Sequence, residues 1–208
     1  MQKLVIAFIL FFPFMLQAQR FNGGVLLGLT ASQVDGDSYA GFDKVGLQGG
    51  VFVNTFFSRY AGIQMEIKYT GRGARKKTTE EDPAVYKLTL HYIDIPVMML
   101  FKIKEKFILE AGFVTGYLFA AGGEDSGGKI DKDYLVDFNK VDLDWMLSIR
   151  YKVTDNLSAG FRYAYSLFSI TDIPHDNPSY GVIANLFGYN TGDYNNYLSF
   201  GVYYQFNR

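Results

Sequence analysis

Near the end of the chain Leu198, Phe200, Val202, Tyr204 and Phe206 alternate with Tyr197, Ser199, Gly201, Tyr203 and Gln205. A side-chain period of two is that of a β-strand, in which successive residues point to opposite faces. The same alternation sets Leu157, Ala159, Phe161, Tyr163, Tyr165 and Leu167 against Ser158, Gly160, Arg162, Ala164 and Ser166. It sets Val141, Leu143, Trp145, Leu147, Ile149 and Tyr151 against Asp142, Asp144, Met146, Ser148, Arg150 and Lys152. It also sets Ala61, Ile63, Met65, Ile67 and Tyr69 against Gly62, Gln64, Glu66, Lys68 and Thr70. Weaker, Gly-rich versions run over residues 21–30, 45–53 and 107–119. The eighth segment, residues 88–101, changes phase: Leu88, Leu90 and Tyr92 share a parity with Asp94 and Pro96, while Ile93, Ile95, Val97, Met99 and Phe101 hold the other. That switch predicts a bulge or irregularity near Tyr92 to Pro96.

Strands of roughly 9 to 14 residues outrun the five or six usual in soluble sheets and suit the 9 to 11 tilted residues that cross a bilayer. Their apolar faces are wide, aromatic-tipped and nearly free of charge, which is a surface made for lipid. Short gaps at 54–60, 102–106 and 152–156 alternate with longer, polar, Gly- and Asp-rich ones at 31–44, 73–87, 120–136 and 171–193. Short turns at one end and long loops at the other are the layout of an outer-membrane barrel. The predicted fold is all-β, an eight-stranded antiparallel up-and-down transmembrane β-barrel. The aromatics fall into two girdles: Phe56, Phe57, Tyr60, Phe107, Tyr151, Tyr204 and Phe206 at the short-turn ends, and Tyr69, Tyr117, Phe119, Phe168 and Tyr197 at the long-loop ends.

Composition narrows the function classes. The 208 residues are 49% hydrophobic and 17% aromatic, and 20 basic against 21 acidic residues give a formal charge of −1. That balance indicates neither a nucleic-acid-binding surface nor a polyelectrolyte tail. Without Cys, neither a disulfide framework nor a thiolate metal or nucleophile site can be built. Lys3, the apolar stretch from Leu4 to Leu16 broken by Pro13, and the small Ala18 before Gln19 read as a signal peptide. The organisation expected is a signal peptide over residues 1–18, cleaved on export, and an outer-membrane barrel domain over 19–208.

The segment Tyr92-Ile93-Asp94-Ile95-Pro96-Val97-Met98-Met99-Leu100 resembles the tyrosine, acid, Ile-Pro and aliphatic run of the PorT-like outer-membrane β-barrel family, a group of porin-family small barrels. The end of the chain, from Asn195 to Phe206, is similar to that family's final strand. The resemblance implies an eight-stranded barrel in an outer membrane, in a family of which a few members are tied to protein secretion.

Charges on the polar faces are the chief candidates for a site. Glu66, Asp94, Glu110, Asp142 and Asp144 face Lys68, Arg72, Arg150, Lys152 and Arg162 in kind. Eight strands leave an interior that side chains fill, so these groups must pair across the lumen as a structural charge network. Arg72, Arg75, Lys76 and Lys77 form a basic cluster at the outer end of a strand, where they are candidate contacts for lipid phosphates in lipopolysaccharide.

Other motifs carry less. Asp35-Gly36-Asp37 with Asp43 lacks the ligand pattern of a dedicated calcium site, and the Gly122 to Gly128 run lacks the hydroxyl residue a phosphate cradle needs after its lysine. His91, expected inside the barrel or near its rim, and His175, in a loop, are the only histidines on which a lipid-modifying enzyme could rest. The expectation is therefore a monomeric, non-enzymatic barrel without cofactor, metal or catalytic residue. Its partners are outer-membrane lipid and lipopolysaccharide, and it acts through extracellular loops as a structural, adhesive or secretion-accessory protein. A small solute channel is the alternative, and a lipid-modifying enzyme is the third class.

Overall fold

The computed structural model describes residues 21–37, 39, 41–76, 78, 80, 83–131, 135–172 and 192–206. The expected signal peptide, Lys77 and His175 lie outside the described residues. The strands are β1 (Asn22–Asp35), β2 (Lys44–Phe56), β3 (Ala61–Arg72), β4 (Tyr86–Lys104), β5 (Phe107–Asp125), β6 (Gly128–Ile130), β7 (Val141–Lys152), β8 (Leu157–Ser166) and β9 (Tyr194–Gln205). β1 pairs with both β2 and β9, and β4 pairs with both β3 and β5, so eight strands close into one antiparallel barrel. The three-residue β6 lies outside the ring, paired to the loop-side end of β5. Closure leaves none of the eight ring strands with an open edge, which is the condition for a sheet in lipid.

Alternation in the sequence becomes an inside and an outside. On β9 Phe200 is 54% exposed and its neighbour Ser199 3% exposed, and β3, β7 and the lower part of β8 divide in the same way. Among the described residues no helix is long and apolar enough to cross a membrane; the apolar lateral surface belongs to the strands. Phe57, Tyr60, Phe107, Tyr151, Tyr204 and Phe206 are exposed at the short-turn end, and Tyr117, Phe119 and Phe168 at the other.

Three details differ from the sequence reading. First, β4 keeps one phase throughout, with Leu88, Leu90, Tyr92, Asp94, Pro96, Met98 and Leu100 all facing inward. The irregularity falls on its partner: His91 sits opposite Ala120 but Tyr92 opposite Leu118, leaving Phe119 as the extra residue of a bulge in β5. Leu88, Leu90 and Tyr92 can face inward because, above the charged part of the lumen, they pack with Val34, Ala74, Leu118, Phe138 and Ile170 in an apolar cap. Second, His91 consequently faces outward, stacked beside Tyr69 with its Nδ1 hydrogen-bonded to the Tyr69 hydroxyl at 2.7 Å. Third, Tyr197 and Phe56 leave the girdles. Tyr197 is buried in the lumen and Phe56 lines the short-turn mouth.

The β4–β5 hairpin is the longest element, with 19 residues in each strand. Since about 9 to 11 residues cross the hydrocarbon core, its loop-side end stands clear of the apolar band.

Candidate functional site

The lumen is filled by two charge clusters stacked along the barrel axis. Nearer the short turns, Arg162 on β8 reaches across to β3, where its Nη1 and Nη2 donate to the two Glu66 oxygens at 2.8 and 2.7 Å. The same Nη2 donates to Glu110 on β5 at 3.0 Å, and Glu110 also pairs with Arg150 on β7. A fork of donors meeting a planar carboxylate is the strongest geometry an ion pair can take. The Tyr203 ring of β9 lies 4.2 Å from the Arg150 guanidinium carbon and 4.9 Å from that of Arg162. Its quadrupole adds attraction to both guanidiniums. Lys68 stands between the clusters and donates to Gln48 at 2.9 Å.

Nearer the loops, Arg72 is the hub. Its Nη2 donates to both oxygens of Asp94 at 2.7 Å, and its Nη1 lies 3.1 Å from Asp142 and 2.9 Å from Asp144. Neutral donors complete the shell: Ser166 to Asp142 at 3.1 Å, Asn195 to Asp142 at 2.8 Å, and the Tyr197 hydroxyl to Asp144 at 3.1 Å. The rings of Tyr197 and Tyr92 sit 4.2 and 4.5 Å from the Arg72 guanidinium carbon. The space for this comes from Gly116, which lies between Asp94 and Asp142 in register. A β-carbon there would come within 2.9 Å of Asp94 Oδ1 and 3.1 Å of the Tyr92 ring.

The structure brings Glu66, Asp94, Glu110, Asp142, Asp144, Arg150 and Arg162 into these clusters, and places Lys68 beside them. Arg72 belongs here and not with the lipid-facing cations, a correction to the possible lipid-phosphate contact. It ends β3 on the inward parity and is fully buried. Arg75 is exposed beyond the strand and Lys76 half-buried, its Nζ 5.8 Å from the Tyr39 ring. Lys152 stands apart from both clusters at the short-turn mouth, pairing with Asp155 in the β7–β8 turn at 2.9 Å. Sequence reasoning missed Tyr92, Tyr197 and Tyr203 as partners of the guanidiniums. Their inward parity on strands that also carry the charges was the available signal.

Among the described residues no group of three or more His, Asp or Glu is arranged to hold a metal. Asp35 instead accepts from Gln33 and Asn196, and Asp37 accepts the Tyr39 backbone N–H. The upper end of the lumen is shut by the apolar cap, and a further apolar group of Met98, Val114, Met146 and Ala164 packs with Tyr197. The short-turn end of the lumen is hollow.

No curated protein matches the chain in sequence. Among solved structures the fold is similar to that of Ail, the attachment invasion locus protein of Yersinia pestis, crystallised in complex with the heparin analogue sucrose octasulfate. The identity is 15%, 90% of this chain and 99% of that one are covered, and the TM-score is 0.52. It is also similar to Neisserial surface protein A, at 12% identity, 89% and 96% coverage and a TM-score of 0.51. These likenesses extend to the barrel architecture. Residues 17–172 match the family model for the outer membrane protein beta-barrel domain. With most of the chain matched and a closed eight-stranded barrel carrying an apolar belt, the protein belongs to the outer membrane protein beta-barrel domain family.

Proposed function

We propose that this outer-membrane barrel is a non-enzymatic, monomeric scaffold whose lumen is a plug and whose work is done by the loops, in a structural, adhesive or secretion-accessory role. The observation that carries this reading is the succession of sealed layers inside the barrel. An apolar cap lies over the Arg72 cluster, which lies over the Arg162 cluster, and the side chains of Arg72 and Arg162 are no more than 1% exposed. A permeation path needs a continuous wet lumen, and side chains that hydrogen-bond across the axis at under 3.2 Å occupy that volume.

Export by cleavage after residue 18 is part of the same proposal. So is PorT-like membership within the barrel family, supported by the segment from Tyr92 to Leu100. Arg75, Lys76 and Lys77 are proposed to meet lipopolysaccharide phosphates, with the exposure of Arg75 in support.

Planar-bilayer recording tests the plug directly. The native barrel should show little steady conductance. A large, stable conductance would move the small-channel reading to first place.

A further inference from the structure

The short-turn end of the lumen is a cavity of about 480 Å³, ringed by all three short turns and closed at its inner end by the Arg150–Glu110 pair. Cavities of roughly 300 to 1,000 Å³ are the size that holds small ligands. Its rim is cationic: Arg59, Lys102, Lys104 and Lys152 stand against Glu105 and Asp155. Lys152 and Asp155 satisfy each other at 2.9 Å, and among the described residues no ion pair is made by Arg59, Lys102 or Lys104. The rim therefore holds an uncompensated positive charge.

Below the rim Phe52, Phe56, Leu100 and Tyr203 form an aromatic and apolar part of the wall, beside the polar Asn22, Asn54, Ser158 and Gln205. Lys102 Nζ lies 3.7 Å over the Phe56 ring, joining the charged and apolar zones. At the inner wall Arg150 is 4% exposed and its Nε is buried without a hydrogen-bond partner. A cavity lined in this order, cations at the mouth and rings beneath, matches one ligand chemistry.

We propose that the short-turn mouth is a binding site for a small amphipathic anion, its acid group held by Arg59, Lys102 and Lys104 and its apolar part seated on Phe52, Phe56 and Tyr203. In an outer-membrane barrel the short turns face the periplasm, so the ligand comes from that side. The site is separate from the loops and does not depend on their role. A carboxylate or a phosphate monoester on a short alkyl chain would serve alike. The cluster of cations attracts either acid, and the aromatic floor discriminates against anions that lack an apolar part.

The test is nuclear magnetic resonance of the labelled full-length barrel in zwitterionic nanodiscs, titrated with octanoate, octyl phosphate, octanol and inorganic phosphate. One or both of the amphipathic acids should produce saturable shifts at the amides of Phe52, Phe56, Lys102 and Tyr203. The tighter of the two identifies a carboxylate or a phosphate source. The Lys102→Gln/Lys104→Gln double variant, altered only at the rim, should weaken that binding about fivefold or more while leaving the rest of the spectrum in place. Phe56→Ala should weaken the amphipathic acids without strengthening inorganic phosphate. The proposal is overturned if octanol binds as tightly as the acids, or if inorganic phosphate alone saturates the site with equal affinity. Shifts spread over lipid-facing residues such as Val97, Phe113 and Phe200 with none in the mouth would overturn it too.

Discussion

The two charge clusters solve the same problem in different ways. The Arg162 cluster matches two guanidiniums to two carboxylates, with Lys68 nearby, and each carboxylate has an arginine of its own: Glu66 with Arg162, Glu110 with Arg150. The Arg72 cluster gathers three carboxylates around one guanidinium and makes up the shortfall with hydroxyl and amide donors from Ser166, Asn195 and Tyr197. One is built by pairing charges, the other by solvating an excess of acid with neutral dipoles. With these side chains almost wholly buried, the routes differ in how much rests on a single residue. Glu110 keeps Arg150 if Arg162 is lost, whereas Asp94, Asp142 and Asp144 all lose their cation if Arg72 is lost.

Arg72→Met therefore carries the largest expected effect. Breaking one buried pair by removing a partner costs about 3 to 5 kcal/mol, and here three carboxylates are left behind, so the loss should lie at or above the top of that range. Arg162→Met should fall inside it, because Glu66 alone is stranded. Folding equilibria measured by urea titration in lipid vesicles rank the two. Adding Asp144→Asn to Arg72→Met should recover stability by removing one of the stranded charges, while adding it to Arg162→Met should not. An Arg162 variant worse than the Arg72 variant, or no recovery, would break the contrast between the clusters.

The outer face gives the next effect in size. Phe200 looks at lipid and Ser199 at the lumen, one residue apart on β9. Arg at Phe200 should destabilise by about 2 to 4 kcal/mol if the site lies near the bilayer midplane. Arg at Ser199, directly opposite Arg162 in register, should act instead through crowding and like charge. The two are separated in an Arg162→Met background, where the cost of Arg at Ser199 should shrink and the cost of Arg at Phe200 should stay the same. A smaller cost at both would mean that β9 does not divide lipid from lumen.

Tyr197→Phe sharpens the account of neutral donors. It removes the hydroxyl that donates to Asp144 but keeps the ring over Arg72, so the expected loss is about 1.5 to 3 kcal/mol, the worth of a hydrogen bond to a charged group. The loss should nearly vanish when Asp144 is already Asn. A loss that persists in that background would assign the effect to packing around the ring.

These assignments also show where sequence was a sufficient guide. Strand parity put Glu66, Glu110, Asp142, Asp144, Arg150 and Arg162 on one side of the sheet, because a period of two needs only local information. It could not choose partners. Arg72 and Asp142 are 70 residues apart and meet only because the barrel closes, and by sequence Arg72 belongs equally to the polar face and to the basic cluster with Arg75, Lys76 and Lys77. Where the strands rise above the band the code itself changes. Leu88, Leu90 and Tyr92 point inward because the lumen there is capped by apolar side chains, so apolar no longer means outside. The short-turn cavity is illegible for a related reason: it is lined from three turns and from the outer ends of β1 and β9, whose convergence no single segment records.

The smallest effect comes from the same chemistry moved into water. Lys87 and Glu124 face each other across the loop-side end of the β4–β5 hairpin at 3.0 Å, with side chains 38% and 45% exposed. Water solvates both charges whether or not they meet, and holding two long side chains together costs conformational freedom. Lys87→Gln should therefore change stability by about 1 kcal/mol or less, and the difference should shrink as salt is raised. The buried Arg162 pair at a comparable distance should respond little to salt, since ions cannot enter its surroundings. Measuring both variants in low and high salt compares two ion pairs that differ chiefly in burial. If Lys87→Gln costs as much as Arg162→Met, the hairpin end is held by its charges and the lumen holds no privileged place in the stability of the barrel.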